Sequence, residues 1–386
     1  MRPHAVHTIA SAARRPGKRM QVFLVGGAVR DELLGLAVKD KDYVVVGSTP
    51  AAMLAAGYKS VGKDFPVFLH PQTHDEYALA RTERKVAQGY KGFVVQASID
   101  VTLEEDLARR DLTVNAIAKD AQGQLIDPYQ GCADLQAKIF RHVSPAFAED
   151  PVRILRAARL AARFPEFTVA AQTNQLMQQM VAAGEVDALV VERVWHELAK
   201  GLMEQQPSRM FEVLQACGAM PRILPELAAL WEREPDSARA LLHRINHAAQ
   251  QQQTLPVRFA VLMLAGQLNA DQLNSLSMRL KVPNDSKELA QLLHKFHGLW
   301  PQILTMSAQQ ILDFLMAMDA IRQPGRLTDY LSAVRCYYGD LVSQASCQSS
   351  LLLHKALSAA LGIDAGAIAH ACNGPSQIKQ AVMPHG

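Results

Sequence analysis

Apolar positions follow a strand period at the start of the chain. Residues 21–25, Gln-Val-Phe-Leu-Val, predict a short strand that runs into a turn at Gly26-Gly27. An amphipathic helix is predicted from near Ala28, and the apolar run at 43–46 predicts a second strand.

Further strands and helices are predicted over the next sixty residues. Residues 48–57 have the form of a capped helix with a first-turn proline, and strands are predicted at 59–69 and 76–80. The sequence Thr-Leu-Glu-Glu at 102–105 has the form of a capping box that opens another helix. The order strand, helix, strand, helix, strand, strand predicts an α/β or α+β head.

From about residue 170 the apolar residues recur with a helical period almost throughout. Predicted helices include 174–183, 191–204, 207–217, 311–320 and 327–338. The predicted fold class is therefore α+β, with an N-terminal α/β head followed by an all-helical remainder.

Two features near the first strand indicate phosphate and metal chemistry. Paired glycines let a backbone approach a ligand closely, and amides at the start of the following helix would face an anion such as phosphate. Asp40 and Asp42 stand two residues apart, so a strand period points both carboxylates to one face. A divalent cation relieves their repulsion, and such oxygen ligands suit Mg²⁺ bound with substrate phosphates. Together these features predict phosphoryl or nucleotidyl transfer.

Each feature also has a plainer interpretation. A Gly-Gly pair is most often only a turn, and an Asp-x-Asp sequence is most often a solvated loop. Their spacing, with Arg30 and Asp31 on the helix between them, is more specific. A further hypothesis places a third metal-facing carboxylate at Glu76, on a neighbouring predicted strand.

Two later stretches combine arginines with polar partners. Asp111 and Asn115 are four residues apart, which predicts one helical face beside Arg109 and Arg110. The pattern fits a surface helix with an Asp–Asn hydrogen bond or a site for nucleotide phosphates. Residues 81–85, Arg-Thr-Glu-Arg-Lys, fit a solvated charged loop or a mobile segment that grips a triphosphate or an RNA end.

A helix with regularly spaced arginines is predicted after residue 150. Asp150 would cap it, Pro151 would occupy its first position, and Arg153, Arg156 and Arg159 recur at a spacing of three. One interpretation is an amphipathic helix with a basic solvent face. The other is base recognition, because cytosine and adenine both present an amino donor beside a ring-nitrogen acceptor. A carboxylate and a guanidinium one turn apart, Asp150 and Arg153, would accept both bases and refuse guanine and uracil.

Composition limits these interpretations. The chain has 386 residues, of which 49% are hydrophobic and 20% charged, as in an ordinary soluble protein of two or more domains. A net charge of only +3 restricts any nucleic-acid surface to a local patch. The five cysteines are scattered, without metal spacing or a disulfide framework, which favours the cytoplasm. No apolar segment approaches the length of a membrane span, so no membrane partner is expected.

The run Gly-Gly-Ala-Val-Arg-Asp at 26–31, followed by Asp-Lys-Asp at 40–42, resembles the head of a class II CCA-adding enzyme. These tRNA nucleotidyltransferases share a superfamily with bacterial poly(A) polymerases. The stretches at 109–116 and 149–153 resemble further motifs of the family. The resemblance is close from residue 20 to about 230 and faint to about 340. It implies a polymerase-beta-like nucleotidyltransferase head, followed by a helical neck, body and tail.

The resemblance also implies roles for individual residues. Asp40 and Asp42 would be catalytic and would hold Mg²⁺. The residues implied to bind ATP and CTP are Gly27, Arg30, Arg110, Asp111, Asn115, Asp150, Arg153, Arg156 and Arg159.

The implied activity is template-independent addition of CCA to the 3′ end of tRNA from CTP and ATP, with release of pyrophosphate. The protein would be cytoplasmic and would bind the acceptor end of tRNA. The alternatives are a poly(A) polymerase, an enzyme that adds only part of the CCA end, and a non-catalytic RNA-binding protein on the same scaffold.

The expected division of the chain follows from the same resemblance. It comprises a disordered extension at 1–19, the catalytic head at 20–140, a helical neck and body at 141–230, and a helical body and tail at 231–386. Met20 is an alternative start of the protein.

Enteric-type relatives carry a metal-dependent phosphohydrolase domain with His-Asp pairs beyond residue 231. Here His243 and His247 lie four residues apart, but residues 258–264 are apolar where the His-Asp pair would be expected. Met263 and Leu264 cannot bind a metal, so no working phosphohydrolase is predicted.

Overall fold

The computed structural model describes residues 20–61, 67–85, 93–338 and 344–363. The chain divides into two compact units, Met1–Asp150 and Pro151–Gly386. The expected extension at 1–19 lies outside the described residues.

The first unit contains short strands and helices in alternation. Its strands are β1 (Gln21–Val25), β2 (Asp42–Val46), β3 (Lys59–Val61), β4 (Val67–Leu69), β5 (Glu76–Leu79), β6 (Arg81–Lys85), β7 (Phe93–Ala97), β8 (Ala118–Lys119), β9 (Leu125–Ile126) and β10 (Ile139–Phe140). Its helices are α1 (Gly27–Leu33), α2 (Pro50–Ala55), α3 (Leu103–Ala108) and α4 (Gly131–Ala137), with short 3₁₀ helices at Thr113–Asn115 and Pro145–Glu149.

The main sheet of the first unit has the strand order β3-β4-β5-β2-β1-β8-β9. Strand β1 pairs antiparallel with β2 and β8, whereas β2 pairs parallel with β5. Successive valines of β2 pack on opposite faces: Val44 lies in one core cluster with Phe23, and Val45 lies in another with Met53 of α2. Because buried side chains cover both faces, the middle of the sheet is fixed. The ends of strands β1 and β2 are thereby held in place.

The side-chain caps predicted at the N-termini of α2 and α3 are confirmed. Thr49 caps α2 by accepting a hydrogen bond from the Ala52 amide at 3.2 Å. Thr102 and Glu105 form the predicted capping box at the start of α3. In both cases the side chain satisfies an amide that has no partner within the helix.

Two predictions for the head are wrong. The single strand expected at 59–69 is two antiparallel strands, β3 and β4, with Lys59 opposite Leu69. Residues 81–85 are not a loop but strand β6, which pairs antiparallel with β7. The pairing partner of a charged stretch lies elsewhere in the sequence, so the stretch alone does not reveal the strand. The proposed gripping role of 81–85 stays a prediction.

The second unit is almost wholly helical in its described part. After the short strand β11 (Thr168–Val169), which follows the first helix of the unit, all its regular elements are helices. The helices are α5 (Val152–Arg163), α6 (Ala171–Ala182), α7 (Val191–Leu202), α8 (Ser208–Ala216), α9 (Met220–Ile223), α10 (Pro225–Arg233), α11 (Pro235–Gln250), α12 (Leu255–Ala265), α13 (Ala270–Arg279), α14 (Asn284–Phe296), α15 (Ala308–Ala317), α16 (Gly325–Tyr338) and α17 (Gln344–Leu361), with 3₁₀ segments at Glu185–Ala188 and His297–Thr305.

Helix α12 forms the centre of this unit, since residues 257–265 are all buried. Phe259 of α12 meets the ring of Trp195 of α7 edge to face, with centroids 5.5 Å apart. Trp195 therefore serves as a packing residue. None of the helices in the described ranges is long and apolar enough to span a membrane.

Candidate active site

The glycine turn lies directly at the end of β1. Gly26 has φ 74° and ψ −135°, a combination that residues with a Cβ rarely adopt. A Cβ at Gly26 would lie 2.9 Å from Nη1 of Arg110, and one at Gly27 would lie 3.3 Å from Nη2 of Arg30. The turn thus needs glycine both for its backbone conformation and for the close approach of two guanidinium groups.

Asp42, one member of the acidic pair, lies beside this turn. Asp42 is the first residue of β2 and stands opposite Val25, the last residue of β1. Asp40 precedes the strand, so the strand period does not decide the direction of its side chain. Both aspartates are exposed.

The hypothesis of a third metal ligand is not supported. Glu76 is indeed the neighbour of Asp42 in the parallel pairing of β2 with β5. Within the described residues, however, no group of three or more His, Cys, Asp or Glu side chains is arranged to hold a metal ion. Any metal bound here would take its remaining ligands from water and substrate.

Arg30 belongs to a buried network within the first unit. Its Nε and Nη2 donate to Oδ1 of Asp31 at 2.9 and 2.8 Å, and its Nη1 donates to Oδ1 of Asn115 at 2.5 Å. Asn115 in turn donates to Oδ1 of Asp111 at 3.0 Å. Only 4% of Arg30 is exposed. The network links Asp31 to three residues of the predicted site, Arg30, Asp111 and Asn115, and holds them rigidly.

The prediction of a helix across Asp111 and Asn115 is wrong. Helix α3 ends at Ala108, and the chain continues into a short 3₁₀ helix at Thr113–Asn115. The side chain of Asp111 accepts from the amide of Leu112 at 2.9 Å, a local bond that competes with helix formation. The Asp–Asn hydrogen bond exists, but it is buried rather than on a surface helix.

Arg110 is held by a carboxylate that the sequence analysis missed. Asp106 is 0% exposed and accepts from Nη2 of Arg109 at 2.6 Å and from Nη2 of Arg110 at 3.4 Å. Burial by itself raises the pKa of Asp106. The charges of the two arginines, together with hydrogen bonds from Arg109 and from the Arg81 amide, outweigh that effect and hold the pKa below its ordinary value. Asp106 is therefore the counter-charge of the arginine pair.

The arginine-bearing helix α5 is buried on most sides. Residues such as Ile154, Ala158 and also Arg153 are below 9% exposed, whereas Arg156 and Arg159 are half-buried. The interpretation as a basic solvent face therefore fails at Arg153. The helix is assigned from Val152, and Pro151 before it already has a helical backbone, with φ −62° and ψ −17°. The predicted cap by Asp150 stays a prediction. Asp150 has an extended backbone, with φ −121° and ψ 105°, at the end of the preceding 3₁₀ helix.

Within the second unit, two predicted nucleotide contacts lie near helix α7. Arg159 donates from Nε to Oε2 of Glu197 at 2.6 Å, and its Nη1 lies 3.7 Å from Oε1 of Glu204. Arg156 lines a cleft of about 270 Å³, together with Val152, Glu192, Arg193, His196 and Glu197. The guanidinium group of Arg159 is thus oriented by the carboxylates of Glu197 and Glu204, whereas Arg156 borders the cleft.

The sequence and the fold both match known proteins. Models described as "Poly A polymerase head domain" and "Probable RNA and SrmB- binding site of polymerase A" match residues 22–141 and 166–230. The multifunctional CCA protein of Methylobacillus flagellatus is 55% identical over 391 aligned positions, which cover 94% of this chain and 95% of that protein. The chain belongs to the CCA-adding enzyme family.

Solved structures of CCA-adding enzymes share the fold. The enzyme of Bacillus stearothermophilus in complex with CTP has a TM-score of 0.70 at 23% identity, covering 95% of this chain and 87% of that one. The Thermotoga maritima enzyme complexed with tRNA has a TM-score of 0.58 at 21% identity, covering 89% and 79%. The α+β prediction, with its nucleotidyltransferase head, is confirmed.

Membership of the CCA-adding family leaves the individual site residues as predictions. The head brings Gly27, Arg30, Arg110, Asp111 and Asn115 into one cluster, with Asp42 at its edge. Arg153, Arg156 and Arg159 belong to the second unit, and Asp150 is the last residue of the first.

Two acidic residues near these arginines were missed, although the sequence carried a signal for each. Asp106 precedes Arg109 and Arg110 by three and four residues, the spacing of helical ion pairs. Glu197 follows Val194 by three residues and precedes Leu198, so it lies on the apolar face of α7. A charged residue at a position predicted to be buried indicates a buried partner.

Proposed function

We propose that this chain adds CCA to the 3′ end of tRNA, using CTP and ATP and releasing pyrophosphate. The proposal is carried by one observation: this chain, a member of the CCA-adding family, has its glycine turn, Arg110 and Asp42 at one end of β1 and β2. The cytoplasm is the proposed location, because the scattered cysteines would stay reduced there.

The family implies use of a divalent metal, and the acidic pair fits one. Asp40 and Asp42 are exposed carboxylates beside the turn, a donor set that leaves most positions to water and to substrate phosphates. Mg²⁺ prefers this arrangement, so we assign Mg²⁺ to these two residues. When bound, the ion supplies Lewis acidity toward the tRNA 3′ hydroxyl and the triphosphate.

The remaining head residues would bind and orient the nucleotide. Gly27 lets the triphosphate approach the backbone, and Arg30 and Arg110 supply positive charge beside it. Arg110 is a cation at every physiological pH. Asp111 and Asn115 would order this cluster and hold the sugar, because their mutual hydrogen bond already fixes both side chains.

Base selection is assigned to Asp150 and Arg153. A carboxylate accepts from the exocyclic amino group that cytosine and adenine share, and a guanidinium donates to the neighbouring ring nitrogen. Guanine and uracil present the opposite pattern, so neither base would form these two hydrogen bonds, each worth about 1.5–3 kcal/mol when a charged group takes part. Arg156 and Arg159 would supply further contacts to the nucleotide.

The test is extension of a tRNA that lacks its 3′ CCA, with CTP and ATP supplied separately and together. The full chain should add two C residues with CTP alone and complete the end when ATP is present. Addition of A residues without limit would identify a poly(A) polymerase instead. Addition of only C or only A would identify a partial CCA-adding enzyme.

Replacement of both metal ligands tests the chemistry. Asp40→Ala with Asp42→Ala should lower the rate of incorporation by at least about 10²–10³-fold, because the charge that develops in the transition state loses its stabilisation. Asp100→Ala, at another exposed aspartate of the head, should leave the rate unchanged. Persistent incorporation in the double variant would contradict the metal assignment, and an inactive but tRNA-binding wild type would favour a non-catalytic role.

A further inference from the structure

Among the described residues of the head, Asp106 is the most deeply buried acid whose partners include a predicted nucleotide ligand. It lies in α3 and is 0% exposed. A buried carboxylate is costly unless cations and hydrogen-bond donors surround it. The hydrogen-bond partners of Asp106 therefore show which groups this carboxylate holds in place.

One carboxylate holds two adjacent guanidinium groups. Oδ1 of Asp106 accepts from Nε and Nη2 of Arg109 at 3.2 and 2.6 Å, and Oδ2 accepts from Nη2 of Arg110 at 3.4 Å. Two neighbouring cations repel each other in a poorly solvated site, so the acid permits both to stay side by side. Arg110 then extends with its Nη1 to the carbonyl of Asn115 at 3.5 Å and against Gly26.

The same carboxylate also fixes the start of strand β6. The amide of Arg81 donates to Oδ1 of Asp106 at 3.3 Å. The carbonyl of Arg81 accepts from Nε of Arg109 at 3.0 Å. Both backbone groups of Arg81, which lies two residues after the end of β5 at Leu79, are therefore bound to the Asp106–Arg109 pair.

We propose that Asp106 is a positioning residue for nucleotide binding, which holds Arg110 over the glycine turn and joins it to the start of β6. The inference rests on the proposed function in one respect, the contact of Arg110 with the nucleotide. Asp106 itself does not touch the substrate. Its effect should therefore pass entirely through the arginine.

A double-mutant cycle measures that dependence. The dissociation constant of ATP is measured with Mg²⁺ by calorimetry on the full-length chain, for wild type, Asp106→Asn, Arg110→Ala and the double variant. Arg110→Ala should weaken binding by about 10–100-fold, the range for hydrogen bonds to charged groups, and Asp106→Asn by about tenfold. The double variant should bind within about twofold of Arg110→Ala alone.

Asp134 provides a matched control. It is a buried head carboxylate at 6% exposure, and it accepts from Arg141 at 3.1 Å and from Thr113 at 2.6 Å, neither of which is a predicted ligand. Asp134→Asn also removes a buried charge, but it should leave the ATP dissociation constant within about twofold of wild type. Equal weakening by Asp134→Asn, or multiplicative losses in the cycle, would overturn the inference.

A second variant covers the case in which Asp106→Asn does not fold. Asp106→Glu keeps the charge and displaces it by one methylene, so it should fold and bind ATP more weakly than wild type. Wild-type affinity in Asp106→Glu would then overturn the inference. The tRNA extension assay on the wild type separates the two proposals: a chain that binds ATP but does not extend tRNA refutes the function, while the cycle still decides the role of Asp106.

Discussion

At the scale of single residues, this head is governed by buried charges that must be paired. Arg30 is 4% exposed and Asp106 is 0% exposed, and each has charged or amide partners within hydrogen-bond distance. Such pairs add little net stability compared with apolar packing, but they fix the orientation of the charged side chains. A site that must present arginines at a defined turn benefits from that rigidity.

Gly26 gives a test at this scale. Gly26→Ala should cost about 1–3 kcal/mol of unfolding free energy, because its backbone conformation suits only glycine. The new Cβ would also displace Arg110, whose Nη1 would be 2.9 Å away. The KM for ATP and CTP should therefore rise about tenfold, as expected for loss of one charged hydrogen bond. Urea unfolding and steady-state kinetics measure the two effects.

Gly35 is the control for this prediction. It also has a positive φ, at 70°, but no atom lies within 4 Å of its Cβ position. Gly35→Ala should lose stability and keep the KM of wild type. If both variants raise the KM equally, the contact with Arg110 is not the cause.

At the scale of elements, burial on all sides distinguishes the central helix of the second unit. Residues 257–265 of α12 are all buried, as expected for a helix that is apolar around its circumference. The same segment is the one in which the sequence lacks a His-Asp pair. Its present role is packing, because each of its side chains meets other helices instead of solvent.

Phe259 gives a test of this packing. Phe259→Ala should lower the free energy of unfolding by about 3–5 kcal/mol, since it removes a buried ring that contacts Trp195. Met316→Ala, at a residue that is 61% exposed, should change it by less than about 0.5 kcal/mol. Urea unfolding followed by circular dichroism and tryptophan fluorescence compares the two. Equal losses would show that α12 is not the centre of the unit.

At the scale of the whole molecule, positive and negative charges nearly balance, so any nucleic-acid surface must be a local patch. The net charge is +3, so the proposed binding of tRNA would depend on local groups of arginines and on shape. The further division of the helical unit near residue 230 stays a prediction, since the chain separates compactly only between Asp150 and Pro151.

The loss of the phosphohydrolase is a prediction at this same scale. His243 is exposed on α11, whereas Met263 and Leu264 of α12 are buried at 2% and 7% exposure. The full chain should hydrolyse bis(p-nitrophenyl) phosphate no faster than buffer does, with Mn²⁺, Co²⁺ or Ni²⁺ in excess. The same preparation should still extend tRNA. Metal-dependent hydrolysis that His243→Ala abolishes would contradict the prediction.

The sequence by itself determined the local structure and the family. The strand at Gln21–Val25, the glycine turn and the capping box at Thr102 depend on residues close together in the chain, so periodicity and capping chemistry revealed them. The motifs whose resemblance indicated the CCA-adding family, such as 26–31 and 40–42, are also short stretches of sequence. Each of these features depends only on residues that lie a few positions apart in the sequence.

Only the tertiary structure decided which charges are buried and what they pair with. The sequence places Arg30 and Asn115 85 residues apart, and nothing local predicts their hydrogen bond. It also left a solvated loop and a mobile segment as alternatives at 81–85, whereas strand pairing with β7 and the bond of the Arg81 amide to Asp106 fix this segment. A buried charge is stable only beside its partner, and that partner is brought to it by the packing of distant elements.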